Sequence, residues 1–195
     1  VLMSSKYKII KKKKIHDGFF KLHQIDFTHQ KHNGKWSPEV SREVFGGAQV
    51  ATVLPYDPVK KKILLIKQFR VGALESKNDP LLIEIVAGMI DSGETPIEAA
   101  KRECLEETGC VANKIKDIYS YYPAPGSSES YYHFFLAEVD AYDEERIYGQ
   151  EYENEDILVK SYTIPEIKKL LAEKKIINGV TLIALQWFFL EYYKP

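Results

Sequence analysis

One segment, residues 88–110, constrains the fold of this chain most strongly, because it specifies a helix together with both of its ends. Thr95-Pro96-Ile97-Glu98 is a capping box with proline at the first helical position, and Gly109 is a left-handed stop. These signals predict a helix from Thr95 to Thr108. The glycine-containing stretch before it, Ala87 to Glu94, predicts a loop.

Acidic residues cluster on one side of the predicted helix. At 100° per residue, Glu103 and Glu107 lie about 40° apart, and Glu106 lies about 60° from Glu103. Three neighbouring carboxylates raise one another's pKa unless a cation neutralises them. Helical spacing directs Arg102 elsewhere, toward Glu98 and Glu106. A hard divalent cation such as Mg²⁺ is therefore the expected partner, and a solvated acidic helix face is the alternative.

The remaining positions of the helix predict how it packs. Ala99 and Ala100 flank the acidic side and leave room for an ion and a diphosphate. The opposite side is expected to anchor in the core through Ile97, Cys104 and Leu105. Cysteine serves there as a small apolar residue, and no disulfide is expected between Cys104 and Cys110.

Composition excludes several classes of protein. The chain has 195 residues, which suits one domain, or one domain with a small appendage. With 27 basic and 28 acidic residues, it has no bulk positive field for a nucleic-acid partner. Two cysteines and no recognisable secretion signal favour the cytoplasm. The most apolar stretch, Val180 to Leu190, is shorter than the roughly 20 residues of a membrane span, so no membrane partner is expected.

The first part of the chain predicts a small β-sheet. Tyr7 to Ile10, Phe19 to Phe27 and Glu39 to Phe45 have the composition of strands, and Asn33-Gly34 favours a type I′ hairpin turn between the last two. The lysines at 11–14 are expected at a solvated strand edge. Three short strands make a marginal sheet alone, so residues 1–46 are expected to pack on the main domain or on a second subunit.

Residues 47–195 predict a layered domain. Helices are expected from Thr163, which begins a second capping box, to about Glu173 and from about Val180 to Tyr193, with a long acidic loop from Asp140 to Asp156. The fold class is therefore α+β: an α–β–α sandwich with a mixed sheet, plus an N-terminal antiparallel β-sheet appendage. The strands are expected at Gln49–Leu54, Ile63–Phe69, Leu81–Val86, Ile115–Tyr122, Tyr131–Val139 and Ile157–Thr163.

From Gly88 to Cys110 the chain reads GMIDSGETPIEAAKRECLEETGC, which resembles the Nudix box with every specified position filled. Further segments are similar to bacterial ADP-ribose pyrophosphatases of the Nudix hydrolase superfamily. They are EVSREVF at 39–45, ATVLPYDPV at 51–59, LLIKQFRV at 64–71, LIEIVAGM at 82–89, YENEDI at 152–157 and IALQW at 183–187. The resemblance implies hydrolysis of ADP-ribose to AMP and ribose 5-phosphate.

The resemblance also implies a magnesium site, at which Mn²⁺ is expected to substitute. The carbonyl of Ala87 and the carboxylates of Glu103 and Glu107 would be its ligands, Glu106 would support a further ion, and Glu155 would reach a metal through water. Glu153 would be the general base, with Glu151, Glu155 and Asp156 as neighbouring alternatives. Arg102 would orient the glutamates.

For the substrate, a nucleoside diphosphate sugar, the resemblance implies a homodimer formed through the N-terminal sheet. Phe19 and Arg42 of one subunit would hold the adenine in the other, and Arg70 would contact the diphosphate or adenosine. Pro125 matches a proline that marks the ADP-sugar branch. The glutamate that usually follows it by five residues falls on Ser130, with Glu129 one residue before. Each of these residues also has a structural alternative: Phe19 packs in the sheet, Arg42 forms a surface salt bridge, and Arg70 is a solvated charge at a strand edge.

Two other functions stay open at this point. One is hydrolysis of another substrate, such as GDP-mannose, NADH or a dinucleoside polyphosphate. The other is a non-catalytic nucleotide sensor, which would be expected to lack glutamates of the box, whereas all of them are present here.

Overall fold

The computed structural model describes residues 6–75, 77, 79–150 and 154–194. The chain divides into two compact units: unit 1 comprises Val1–Ala48 and Tyr122–Tyr131, and unit 2 comprises Gln49–Tyr121 and Tyr132–Pro195. The domain boundary after residue 46 stays a prediction.

Unit 1 contains a three-stranded antiparallel sheet of order β1-β2-β3, with β1 at Tyr7–Asp17, β2 at Lys21–His29 and β3 at Val40–Phe45. The first strand continues seven residues beyond the predicted Ile10 and includes the lysines at 11–14. All its residues are exposed, and it lies at an edge, where lysine is well tolerated.

The turn between β2 and β3 differs from the predicted type I′ turn. Gly34 has a φ of 81°, but Asn33 is not among the residues with positive φ, which a type I′ turn requires. The N–H of Gly34 donates to the carbonyl of Lys31, and an isolated bridge joins Gln30 to Trp36. A connection of five residues accommodates a right-handed turn followed by one left-handed glycine, so the prediction was wrong.

Unit 2 is built on an eight-stranded sheet of order β10-β11-β5-β4-β9-β8, in which β6 also pairs with β5 and β7 with β4. β4 and β9 run parallel, since Tyr131 donates to Ala48 and Val139 donates to Tyr56, whereas β5 is antiparallel to β4; the sheet is therefore mixed, as predicted. The strands are β4 Gln49–Asp57, β5 Lys62–Phe69, β6 Leu81–Glu84, β7 Val86–Met89, β8 Lys114–Tyr121, β9 Tyr131–Glu138, β10 Arg146–Tyr148 and β11 Ile157–Thr163.

The segment predicted as one strand, Leu81 to Val86, is two strands. β6 pairs with β5, and after Ile85 the chain changes partner, so that β7 pairs with β4. β7 also takes in Ala87–Met89, which the sequence assigned to a loop. Ala87 pairs with Thr52 and Gly88 with Ala51 of β4, so the strand continues through both residues.

Helices cover both faces of the sheet in unit 2. α1, Pro96–Thr108, packs on one face, and α2, Ile164–Ala172, and α3, Gly179–Trp187, pack on the other. Neighbouring strand residues alternate between the two cores: Val53 and Leu64 lie on the α1 side, Leu54 and Leu65 on the other. This confirms the predicted α–β–α sandwich.

Three details differ from the predicted elements of this unit. A short strand, β10, interrupts the predicted loop from 140 to 156. The last α-helix ends at Trp187, and a π-helical turn, Phe188–Tyr192, follows it directly. Of the three residues predicted to anchor α1 in the core, Cys104 is buried, but Ile97 and Leu105 are 40% and 49% exposed.

Besides the predicted Cys104, the buried residues of α1 are Ala99, Ala100, Glu107 and Thr108. The helix thus turns its small residues and one acid toward the sheet. Both cysteines are free and buried, as expected. None of the helices in the described part of the chain has both the length and the apolar composition of a membrane-spanning segment.

Candidate active site

The helix α1 is positioned by the ends that the sequence predicted. The side chain of Thr95 accepts a hydrogen bond from the N–H of Glu98, and the carboxylate of Glu98 accepts one from the N–H of Thr95. Gly109 has a φ of 67°, and its N–H donates to the carbonyl of Leu105. With both ends satisfied, the acidic side chains of this helix are presented at a defined angle to β7.

Arg102 is the centre of an ion-pair network. Its Nε and Nη2 donate to the two oxygens of Glu94, each at 2.9 Å. Its Nη1 donates to Glu103 at 2.6 Å and to Glu106 at 3.1 Å, and its Nη2 also reaches the carbonyl of Met89 at 3.0 Å. The hydrogen bonds that Arg102 donates to Glu94, with those to Glu103 and Glu106, raise the pKa of Arg102.

The prediction that Arg102 faces away from the acidic side was therefore wrong. Helical spacing pointed it toward Glu98 and Glu106; the pairing with Glu106 is present, whereas Glu98 is engaged in the capping box. The loop before the helix brings Glu94 back against the helix, and the long guanidinium reaches across to it. Arg102 thereby ties the loop to the acidic face.

Gly88 makes room for the carboxylate of Glu103. A Cβ atom added at residue 88 would overlap both oxygens of the Glu103 side chain. Any residue with a Cβ at this position would therefore displace the Glu103 carboxylate. The Glu103 side chain is 12% exposed, and burial raises its pKa although Arg102 opposes the shift.

Glu107 is the most buried acid of the helix, at 3% exposure. Its Oε2 accepts a hydrogen bond from the N–H of Ala87 at 3.2 Å. Burial raises the pKa of Glu107 well above its ordinary value, and the charge of Glu103 adds to the shift. A carboxylate buried in this way is more stable when it is protonated or when a cation lies beside it.

A third acid, Glu155, lies close enough to act on both carboxylates. Its charge contributes to the raised pKa of Glu103 and of Glu107. Its Oε2 accepts from the N–H of Gln150 at 3.2 Å, and Gln68 donates to its Oε1 at 3.5 Å. Glu153, the predicted general base, lies outside the described residues, as does Glu151.

Arg70 lies at the end of β5 and pairs with a buried acid. Its Nε and Nη2 donate to Oε2 of Glu84 at 3.0 and 2.7 Å. Burial lowers the pKa of Arg70, but the hydrogen bonds and charge of Glu84 outweigh it, with smaller contributions from Glu107 and Glu155, and the net pKa is raised. The guanidinium thus belongs to the same electrostatic environment as the acids of α1.

The other predicted substrate residues lie in unit 1. Phe19 is 82% exposed, so it does not pack in the sheet of this chain. Arg42 donates to the carbonyl of Ser41 at 2.8 Å and makes no ion pair with the described residues. Glu129 accepts from Lys12 at 2.7 Å, and Pro125 lies in a turn where the carbonyl of Ala124 accepts from Ser127 and Ser128.

The donor set around Gly88 fits a hard divalent cation. Glu103 is a partly buried and Glu107 a buried carboxylate, both with raised pKa values, and the missing side chain of Gly88 lets the Glu103 carboxylate lie against β7. Within the described part of the chain, no group of three or more histidine, cysteine or acidic side chains is arranged to hold a metal ion. In this arrangement Glu103 is instead paired with Arg102.

Sequence reasoning missed two residues of the site, Glu84 and Gln68. Both are buried polar side chains in strands, at 3% and 8% exposure. Each is a polar residue within an apolar run, LLIEIV and ILLIKQF. A buried polar residue in such a run needs a specific partner, and this signal pointed to them.

Comparison with known proteins agrees with this geometry. The sequence model of the NUDIX domain matches residues 47–179. The chain is 38% identical over 184 residues to the ADP-ribose pyrophosphatase of Escherichia coli strain K12, covering 94% of this chain and 88% of the relative. It is 33% identical over 192 residues to the GDP-mannose pyrophosphatase of Salmonella arizonae, covering 97% and 98%.

A solved structure described as an ADP compounds hydrolase superposes with a TM-score of 0.71. The two sequences are 21% identical, and the match covers 96% of this chain and 97% of the other. At this identity the likeness supports the fold.

Proposed function

Because this chain belongs to the NUDIX domain family, we propose that it is a divalent-metal-dependent hydrolase that cleaves the diphosphate of ADP-ribose into AMP and ribose 5-phosphate. The observation that carries the proposal is the pair of carboxylates that α1 holds against β7: the partly buried Glu103 beside Gly88 and the buried Glu107 at the N–H of Ala87. The similarity to an ADP-ribose pyrophosphatase over 94% of the chain supports the choice of substrate.

The residues that would hold the metal are those of the Nudix box and one acid of the loop. They are the carbonyl of Ala87 and the carboxylates of Glu103 and Glu107, with Glu106 for a further ion and Glu155 through water. Magnesium, or manganese in its place, supplies positive charge that activates water and neutralises the diphosphate. Arg102 restrains Glu103 and Glu106 through its ion pairs, so that the two acids keep their orientation when the substrate leaves.

The chain's own residues bind the substrate and move the proton. Arg70 binds a phosphate oxygen, since a guanidinium is suited to that geometry. Glu153 takes the proton from the attacking water, because it lies two residues before Glu155 in the same acidic loop. A second subunit, joined through the sheet of unit 1, would bring Phe19 and Arg42 to the adenine, and Glu129, which follows the branch proline Pro125, would hold the terminal ribose. A cytoplasmic location is part of this proposal.

The experiment that tests the function measures AMP release from ADP-ribose in Mg²⁺, in Mn²⁺ and in EDTA. We expect hydrolysis with either metal and none in EDTA. GDP-mannose serves as the competing substrate, because a GDP-mannose pyrophosphatase is also a relative and residue 130 is serine. A larger kcat/KM for GDP-mannose than for ADP-ribose contradicts the substrate assignment, and binding of ADP-ribose without turnover in either metal contradicts an enzyme.

Replacing the proposed base tests a separate step. Glu153→Gln is expected to lower kcat by about 10²- to 10⁴-fold, because the proton acceptor is lost, with little change in the affinity for Mn²⁺. The matched control is Glu151→Gln in the same loop, which should retain activity. Equal losses in the two variants, or a normal kcat and pH–rate profile for Glu153→Gln, contradict the assignment.

A further inference from the structure

Glu84 is a buried acid that the proposed reaction does not use. It lies at the end of β6 opposite Ile66, and its side chain is 4% exposed. Both of its oxygens have partners: Oε2 accepts from Arg70, and Oε1 accepts from Nδ2 of Asn178 at 3.0 Å. A buried carboxylate needs such partners, and this one links the arginine that follows β5 to the start of a helix.

Asn178 has a second role at the same time. It is the N-cap of α3, and its Oδ1 accepts from the N–H of Thr181 at 2.9 Å and from the Thr181 hydroxyl at 3.0 Å. The Thr181 hydroxyl in turn accepts from the N–H of Ile85 at 2.9 Å. The cap of α3 is therefore joined to the end of β6 at two adjacent residues.

The arginine at the end of this chain of hydrogen bonds is partly exposed. The Arg70 side chain is 40% exposed, whereas that of Glu84 is 4% exposed. The guanidinium therefore reaches solvent, while the carboxylate that accepts its hydrogen bonds is buried. Two contacts, from Nε and Nη2 to one oxygen, restrain the plane of the guanidinium. A long side chain that is restrained before its ligand arrives loses less freedom on binding.

We propose that Glu84 and Asn178 are positioning residues for Arg70, so that the N-terminal cap of α3 sets how tightly the substrate phosphate is bound. The proposal rests on the function proposed above, because it assigns the phosphate contact to Arg70. Asn178 provides the geometry through Glu84 and does not itself touch the substrate. A purely structural buried ion pair would stabilise the fold without changing the affinity for substrate.

Two conservative variants separate these roles. Asn178→Asp keeps an N-cap acceptor for Thr181, since Asn and Asp cap equally well, but it places a carboxylate oxygen where Nδ2 donated to Glu84. Glu84→Gln keeps the shape of the side chain and removes its charge from Arg70. For both, we expect the KM for ADP-ribose and the dissociation constant for AMP to rise about 10-fold, with kcat within twofold of wild type.

The control variant is Thr163→Ala, which removes the equivalent cap of α2 and has no link to Arg70. It should lower the thermal midpoint and leave the KM unchanged. If Glu84→Gln and Asn178→Asp lower the midpoint as Thr163→Ala does and leave the KM unchanged, the network is only structural and the proposal is overturned.

A spectroscopic measurement on the ligand-free protein makes the test independent of turnover. The Nε–Hε signal of Arg70, assigned by its loss in Arg70→Lys, is expected to shift and broaden in both variants and to stay unchanged in Thr163→Ala. If the wild type does not hydrolyse ADP-ribose, the proposed function fails while this signal still decides whether Glu84 and Asn178 position Arg70. An unchanged signal in either variant overturns the positioning.

Discussion

Glu107→Gln is expected to reduce the hydrolysis of ADP-ribose by about 10²- to 10⁴-fold while the protein remains folded. The amide keeps the size of the side chain and its contact with the N–H of Ala87, but it has no charge to bind a divalent cation. The measurement is kcat/KM at saturating Mg²⁺, together with the affinity for Mn²⁺ by electron paramagnetic resonance. Near-normal turnover contradicts the assignment of Glu107 as a metal ligand.

The same substitution is expected to stabilise the metal-free protein at neutral pH. Because the folded-state pKa of Glu107 is raised well above 4.5, the unfolded chain releases this proton more readily than the folded one. The contribution to stability is therefore full below the unfolded pKa and is lost as pH rises toward the folded pKa. In EDTA, the midpoint of Glu107→Gln should exceed that of wild type at pH 8, and the difference should shrink toward pH 4.

A matched control distinguishes this charge effect from a general effect of the substitution. Glu98→Gln replaces an acid of the same helix whose pKa is lowered by its hydrogen bonds to Thr95, so its pH dependence has the opposite sign. It should retain activity. A wild-type protein in EDTA that is as stable at pH 8 as Glu107→Gln contradicts the buried-charge argument.

Gly88→Ala is expected to reduce activity by about 100-fold, because the new methyl group occupies the space of the Glu103 carboxylate. The backbone of residue 88 pairs with Ala51 in the sheet, so alanine is otherwise acceptable there. The loss should appear in kcat/KM and in the affinity for Mn²⁺ together. Full activity would mean that Glu103 does not need its position beside β7.

A double-mutant cycle with Glu103→Ala tests whether the methyl group acts through that carboxylate. Once the carboxylate is removed, the added methyl group has nothing to displace, and Gly88→Ala should cause no further loss. Gly179→Ala is the control, since a Cβ at this first residue of α3 meets no other atom within 4 Å. Additive losses in the cycle indicate a distortion of β7 unrelated to Glu103.

Local signals predicted the parts of the fold that depend on local interactions. Both capping boxes and the left-handed end of α1 follow from short-range hydrogen bonds, and the structure contains them. The sandwich followed from the order and period of the elements, because each apolar face must be covered. The acidic side of α1 was located by helical geometry alone.

Predictions that depend on long-range packing were less complete. Ile97 and Leu105 face solvent because the helix must turn Glu103 and Glu107 toward β7. A prediction of burial from residue hydrophobicity alone does not consider that requirement. Arg102 pairs with Glu94, eight residues earlier, which helical spacing does not consider. The partners of Glu84 are 14 and 94 residues away, so no local pattern identifies them.

The change of strand partner at Ile85 has a consequence for how this chain tolerates insertions and deletions. Glu84, which accepts hydrogen bonds from Arg70, lies in β6 and is paired with β5. Gly88, which lies beside the Glu103 carboxylate, is in β7 and is paired with β4. Only one residue separates β6 from β7. Losing or gaining a residue here would shift one strand relative to the other by one residue and reverse which side of the sheet its side chains face. We therefore expect insertions and deletions among related sequences to lie outside this segment, and the number of residues between positions 84 and 88 to stay constant.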